Sequence, residues 1–217
     1  MTLYIVGTPI GNLGDITARA VETLRSVDLV AAEDTRVTKK LLSHLQIHVP
    51  VISYREQVHE RVSQHIIQKL RDGKTVAYVT DAGMPGISDP GARLVDVVRR
   101  SGFVVVPIPG VSAVTALLSV AGVYADEFLF LGFPPQKKGR VAFFERVKNA
   151  EVPVVLFESP HRLCKTLAEL GAKLGATSRV VIGKELTKML ETIIDETIGS
   201  AWESVFVNSS EKPRGEY

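Results

Sequence analysis

The sequence predicts an α/β protein with a largely parallel sheet. Short apolar runs alternate with amphipathic stretches of helical length, the order that crossover connections between parallel strands require. Four of those runs end in turns of small residues: Leu3-Tyr4-Ile5-Val6, Val76-Ala77-Tyr78-Val79, Val104-Val105-Val106 and Val154-Val155-Leu156-Phe157. In open α/β sheets, ligands collect at the carboxyl ends of strands, where glycine lets the backbone approach closely. The chain of 217 residues, 45% of them hydrophobic, supplies one good core or two modest ones.

Taken in order, strands are expected near 3–7, 28–32, 49–53, 75–80, 103–107, 128–132, 153–158 and 179–184. Helices are expected near 15–26, 35–46, 56–72, 89–101, 112–121, 140–149, 161–174 and 200–206. Asp15 marks the first helix start, and Asp89-Pro90 and Ser159-Pro160 mark two later joints between loop and helix. Small and polar residues around Ala121-Gly122-Val123-Tyr124-Ala125-Asp126 precede the run Phe128-Leu129-Phe130-Leu131. A boundary is therefore expected there, giving an N-terminal α/β domain over 1–122 and a C-terminal α/β domain over 123–217. The charged stretch 134–140 is expected to be a flexible loop at the second domain's working edge. Lys212-Pro213-Arg214-Gly215-Glu216-Tyr217 reads as a turn feeding a further strand, so the second domain is expected to be truncated.

A net charge of +2 permits a nucleic-acid partner without requiring one. The single cysteine, Cys164, excludes an internal disulfide framework and a Cys-rich zinc site, and fits a small core residue in a reducing cytoplasm. Met1-Thr2 leads directly into a strand-like run, and no apolar run reaches the ~18 residues of a membrane span. A soluble cytoplasmic protein with no membrane partner is expected.

The turn Gly7-Thr8-Pro9-Ile10-Gly11-Asn12-Leu13-Gly14 lacks the Gly-Lys-Ser/Thr ending of a P-loop. Gly73-Lys74-Thr75 has that ending but carries Gln68 where the first glycine belongs. Neither matches Gly-x-Gly-x-x-Gly, which disfavours NTPase, kinase and dinucleotide oxidoreductase readings alike. The loop from Asp81 to Gly91 is more specific, with three glycines and two prolines in eleven residues. Its glycines are expected to present main-chain groups to a ligand, and Asp81 to face a ribose hydroxyl or a cationic centre. Asp89 either contacts that ligand or caps the next helix.

Glu33-Asp34-Thr35-Arg36 closes the second strand, either as a solvated ion pair or with Asp34 capping the helix that carries Lys39 and Lys40. Glu158-Ser159-Pro160-His161-Arg162 and Lys184-Glu185-Leu186-Thr187-Lys188 place charged groups at two further strand ends. Ser88 and Ser112 lack a Gly-x-Ser-x-Gly elbow. His59-Glu60 lacks the second histidine of a zinc helix, and His44 and His48 have no companion ligands, so no metal is expected.

Read in sequence, Gly-Thr-Pro-Ile-Gly-Asn, Ala-Glu-Asp-Thr-Arg, Asp-Ala-Gly-Met-Pro-Gly-Ile-Ser-Asp-Pro-Gly, Pro-Gly-Val-Ser-Ala, Phe-Glu-Ser-Pro-His-Arg and Lys-Glu-Leu-Thr-Lys resemble the tetrapyrrole methylase superfamily. The blocks span Leu3 to about Lys188. Glu-Asp-Thr-Arg and Glu-Ser-Pro-His-Arg are similar to its branch that modifies ribosomal RNA, whereas tetrapyrrole-modifying relatives typically show Gly-Asp-Pro-type loops. The resemblance implies two α/β domains with S-adenosylmethionine in the cleft between them, a homodimer, and methylation of a cytidine 2′-hydroxyl in small-subunit (16S) ribosomal RNA, free or in an assembled subunit. A tetrapyrrole or corrinoid-precursor C-methyltransferase and a non-catalytic RNA-binding module are the alternatives.

Under that resemblance, donor contacts are expected from Pro9, from Asp81, Ala82, Gly83, Met84, Gly86 and Ile87, and from Ser112 and Ala113. A ribose hydroxyl is a weak nucleophile, so an acceptor for its proton is required, with Glu158, Asp34 and His161 as candidates. Arg36, Arg162 and Lys184 are the expected phosphate or ribose contacts, with Lys137, Lys138 and Arg140 as an outer RNA rim.

Overall fold

In a computed structural model that describes residues 1–207, the chain divides into two units, Met1–Ser112 and the residues from Ala113 onward. In the first unit β1 (Thr2–Val6), β2 (Leu29–Ala32), β3 (Val51–Ser53), β4 (Val76–Val79) and β5 (Val104–Ile108) form one parallel sheet, ordered β3-β2-β4-β1-β5. The connecting helices are α1 (Ala18–Ser26), α2 (Thr35–His44), α3 (His59–Arg71) and α4 (Gly91–Arg100).

Side-chain alternation along the strands splits the core into two layers. Leu3, Ile5, Ala31, Val76 and Tyr78 pack with Ile66, Ile67 and Leu70 of α3 and with Leu94 and Val98 of α4. Val6, Val30, Ala32, Ala77 and Val79 pack on the opposite face with Ala20 and Leu24 of α1 and Leu42 of α2. Covered on both faces, β2 and β4 are wholly buried, which explains their unbroken apolar sequence. β1 and β4 are neighbours whose following helices leave to opposite faces. Their carboxyl ends therefore form the switch point where α/β folds hold ligands.

The second unit pairs β6 (Leu129–Phe130) with β7 (Val154–Val155) in parallel and β8 (Arg179–Lys184) with β9 (Thr192–Thr197) antiparallel. Its helices are α5 (Ala113–Val120), α6 (Arg140–Lys148), α7 (Pro160–Leu174) and α8 (Ile198–Val207). An apolar groove of about 460 Å³ lies between β7 and β8, lined among others by Leu117, Val155, Leu167 and Ile182.

Several elements differ from the sequence expectation. The division falls before α5, at Ser112, and not after that helix at 122/123. Arg179 on β8 donates to the Ala121 carbonyl at 2.7 Å and the Gly122 carbonyl at 3.2 Å, holding the end of α5 to the second unit. The helix start assigned to Asp15 belongs instead to Thr17, whose hydroxyl accepts the Ala20 amide at 3.1 Å, while Asp15 ends a short 3-10 turn. β9 was not foreseen, because its apolar pair Ile193-Ile194 sits among threonines and acids and takes strand form only by pairing with β8. The turn at 212–217 lies outside the described residues.

Candidate functional site

Three loops meet at the carboxyl ends of β1, β4 and β5. The Gly7 amide donates to the Ile108 carbonyl at 3.0 Å, and Thr8 and Gly83 form a two-way bridge between the β1 and β4 loops. The approach is close enough that a Cβ on Gly7 would stand 2.6 Å from the Gly110 Cα and 2.7 Å from the Met84 Sδ. Gly83 adopts φ +79, a region that side-chain-bearing residues rarely enter.

The amides of the loop glycines are engaged within the protein. The Gly83 N–H donates to Thr8, and the Gly86 and Gly91 amides donate to the Asp89 carboxylate at 2.6 and 2.7 Å. Asp89 also accepts the Ile87 amide at 3.1 Å and the Tyr78 hydroxyl at 3.3 Å, so it folds the loop from within. The surface left over pairs Pro9, Ala82, a half-buried Met84 and a half-exposed Ile87 with the Asp81 carboxyl. Apolar surface there stands beside one hydrogen-bond acceptor.

The ends of β2 and β4 carry an acid cluster. Asp81 Oδ1 accepts the Asp34 amide at 2.9 Å, and the Thr80 hydroxyl donates to Glu33 Oε2 at 2.6 Å. Desolvation pushes the Asp81 carboxyl above the usual carboxylate range; the Asp34 amide opposes this, and the nearby Glu33 and Asp34 charges add to it. Asp34 caps α2 through the Arg36 amide at 2.8 Å and pairs with the Arg36 guanidinium at 2.6 Å. The Arg36 guanidinium and amide together hold its carboxyl well below the usual range.

In the second unit Glu158 is buried and engaged on both oxygens. It accepts from the Ser159 amide at 2.7 Å and the Thr166 hydroxyl at 2.5 Å, and pairs with Arg162 at 2.9 Å. Arg162 also donates to the Ser159 hydroxyl at 3.0 Å and the Pro134 carbonyl at 3.1 Å. Arg140, expected on an outer RNA rim, is 7% exposed. Its guanidinium pairs with Glu169, donates to Thr166 at 3.0 Å and to the Pro135 carbonyl at 2.9 Å, and lies over the Phe144 ring. It is a buried structural group, and the rim assignment is corrected. Lys137 and Lys138 are exposed, Lys184 is half-buried, and His161 is exposed in the first turn of α7 with no hydrogen bond among the described residues.

Residues 2–201 match the family model described as Tetrapyrrole (Corrin/Porphyrin) Methylases. Over 216 residues the chain is 45% identical to "Ribosomal RNA small subunit methyltransferase I" of Neisseria meningitidis serogroup B, covering 99% of this chain and 74% of that protein. The chain belongs to the tetrapyrrole methylase family. The protein of the same name from Bacillus subtilis is 42% identical over 216 residues, covering 99% of this chain and 73% of the relative. Among solved structures, diphthine synthase aligns with TM-score 0.73 at 16% identity, over 94% of this chain and 84% of that one. Cobalt precorrin-4 methyltransferase aligns with TM-score 0.69 at 19% identity, over 99% and 92%. These two likenesses concern the fold.

For a tetrapyrrole methylase of this sequence, the antiparallel Thr8–Gly83 bridge sets Pro9 opposite Ala82. Ser112 and Ala113 stand at the division between the units, half-buried. Two arginines, Arg55 just after β3 and Arg61 on α3, were not singled out from the sequence. The visible signal was Arg61 and His65, spaced one turn apart on α3 just after the short strand β3. Among the described residues no helix is long and apolar enough to cross a membrane, and no group of three or more His, Cys, Asp or Glu is placed to hold a metal.

Proposed function

We propose that this methylase transfers a methyl group from S-adenosylmethionine to the 2′-hydroxyl of a cytidine in small-subunit (16S) ribosomal RNA, as a cytoplasmic homodimer. The observation that carries the reading is the 45% identity, along 99% of the chain, to a protein named for ribosomal RNA small subunit methylation. The mixed rim of the first unit supports the choice of donor.

When bound, the donor supplies an electrophilic methyl group, and the chain's own task is mainly positional. Displacement needs the hydroxyl oxygen about 3–3.5 Å from the methyl carbon, in line and shielded from water. In this reading Pro9, Ala82, Met84 and Ile87 cover the apolar parts of the donor, and Ser112 and Ala113 are also assigned to donor contacts. Gly83 and Gly86 let the loop take its shape, and Asp81 accepts a hydrogen bond from the donor's ribose. A raised carboxyl keeps basic character as an acceptor for such a hydroxyl.

Of the three candidate proton acceptors, Glu158 is bound by an amide, a hydroxyl and a guanidinium, and Asp34 by an amide and a guanidinium. His161 has no such partner among the described residues, so it is assigned the role of taking the 2′-hydroxyl proton as the oxygen–carbon bond forms. Arg36, Lys137, Lys138 and Lys184 are assigned to RNA contacts, and Arg162 to holding Glu158 and the loop that begins at Pro134.

The test is transfer of tritiated methyl from labelled donor to small ribosomal subunits of a strain lacking the modification, followed by nuclease digestion. Label in 2′-O-methylcytidine is expected. Label on a base carbon, or none in RNA, overturns the reading. Sedimentation of the purified chain tests the dimer, and a monomer under conditions of full activity removes that part.

A further inference from the structure

A second concave surface lies on the first unit, and no residue of the loops after β1, β4 and β5 lines it. Along the β3 edge and beside α3 runs a groove of about 750 Å³, floored by Ile52 and Val62 and walled by Ser53, Arg55, Gln57, Arg61 and His65. No carboxylate lines it. The volume falls in the range of about 300–1,000 Å³ that small-ligand sites occupy, room for a nucleotide unit.

The local fold explains why these groups face one way. α3 buries Ser63, Ile66, Ile67 and Leu70 against the sheet, which leaves Arg61 and His65, one turn apart, on a flank beside β3. β3 is the outermost strand and has β2 on one side only. The Pro50 carbonyl and the Tyr54 amide bond to β2, so by the alternation of a parallel ladder the Ser53 backbone groups point away from the sheet. They add polar partners to the groove wall.

The two cations are held differently. Arg55 is anchored, its Nε donating to the Glu33 carbonyl at 3.1 Å and its Nη2 lying 3.6 Å from Asp34, while half of its side chain stays exposed. Arg61 forms no ion pair among the described residues. Of the acids on this segment, Glu56 pairs with Arg93 at 2.6 Å, and Glu60 is exposed to solvent. Cationic walls over an apolar floor match the sugar-phosphate backbone of a nucleic acid strand: guanidinium groups take phosphate oxygens and the floor takes ribose carbons. No Phe, Tyr or Trp ring lines the groove, so its contacts run chiefly to the sugar-phosphate backbone.

We propose that this groove binds the sugar-phosphate backbone of single-stranded RNA, with Arg55 and Arg61 each facing a phosphate and Gln57 and Ser53 contacting the sugar edge. Naming RNA as the occupant rests on the rRNA methyltransferase reading above. Contacts of this kind position a strand without reading its sequence. Arg55 also pairs with Asp34, which ties this wall of the groove to the end of β2.

The test is fluorescence anisotropy of a fluorescein-labelled single-stranded oligoribonucleotide, titrated with the purified chain over a series of potassium chloride concentrations. Arg61→Ala is expected to weaken binding about tenfold, as for a lost charged hydrogen bond. It should also flatten the plot of log affinity against log salt by about 0.7, one phosphate's worth. Arg61→Lys should recover most of the salt slope, and Arg100→Ala on α4, a surface residue paired with Asp96, should behave as wild type.

Equal affinity and slope in Arg61→Ala and wild type overturn the proposal. So does a shift from dimer to monomer in Arg61→Glu with RNA affinity intact, which gives the groove to a second copy of the chain. Loss of methyl transfer to ribosomal RNA in wild type, with Arg61-dependent oligoribonucleotide binding retained, fails the functional reading and leaves the groove standing. The reverse pattern fails the groove alone.

Discussion

Thr8 and Gly83 exchange amide-to-carbonyl hydrogen bonds of 3.0 Å in both directions, a single antiparallel bridge joined to an otherwise parallel sheet. The bridge ties the loop after β1 to the loop after β4 across the switch point of the fold. The surface assigned to the donor is thus set by main-chain bonds within the protein, before any ligand arrives. Preorganisation of this kind lowers the ordering cost of binding.

Gly83→Ala tests that bridge. Its φ of +79 disfavours any side chain, and the added Cβ would lie 3.3 Å from the Val111 carbonyl oxygen. A loss of about 1–2 kcal/mol in urea unfolding is expected. Gly86→Ala carries a similar φ, +92, with nothing within 4 Å of its Cβ. Calorimetry with S-adenosylmethionine should show the larger loss of affinity at position 83. Equal losses would mean that the bridge does not shape the donor surface.

Arg140→Ala should cost about 3 kcal/mol in the unfolding of the second unit, because it leaves Glu169 and the Pro135 carbonyl without their buried partner. RNA affinity should change less than in a Lys137→Ala, Lys138→Ala double variant. If the order is reversed, Arg140 reaches the nucleic acid after all.

His161→Ala should lower the methylation kcat by at least about a hundredfold with little change in KM for RNA, as for loss of a general base. His161→Gln, which retains only an acceptor, should fall between. A KM effect without a kcat effect would move the imidazole from proton transfer to substrate binding.

Acid should destabilise the first unit through two carboxylates. Asp28 is lowered from 3.8 to about 2, chiefly by the Thr75 amide and then by Lys74, and Asp34 lies lower still because of Arg36. Both values sit below those of the unfolded chain. Their stabilising contribution is therefore fully present above about pH 4 and fades as pH falls through about 2 for Asp28, and lower for Asp34. Urea midpoints measured from about pH 5 to pH 2 should show a decline that is shallower in Asp28→Asn. An identical slope would exclude Asp28 as a source of the acid response.

The first unit was largely legible in the sequence, because buried parallel strands such as Val76–Val79 read as unbroken apolar runs and glycine turns mark their ends. The second unit was less so. β6 and β7 are two-residue pairings within longer apolar runs, and the apolar signal did not say where pairing stops. Arg140 shows the same limit at the level of the site: beside Lys137 and Lys138 it reads as one basic cluster, and only the fold reveals that Glu169 and Thr166 draw it inward. Likewise the sequence suggested that the loop's glycines turn main-chain groups to a ligand, but not that Thr8 and Asp89 engage the Gly83 and Gly86 amides.

The two arginines that grip the Pro134 and Pro135 carbonyls also make the stretch before α6 uneven in its tolerance of change. Extra residues inserted at 136–138 would lengthen an exposed arch whose base stays pinned, whereas the same insertion ahead of Pro134 would pull both guanidiniums off their acceptors. Length variation among descendants of this chain should accumulate on the arch and spare its footing.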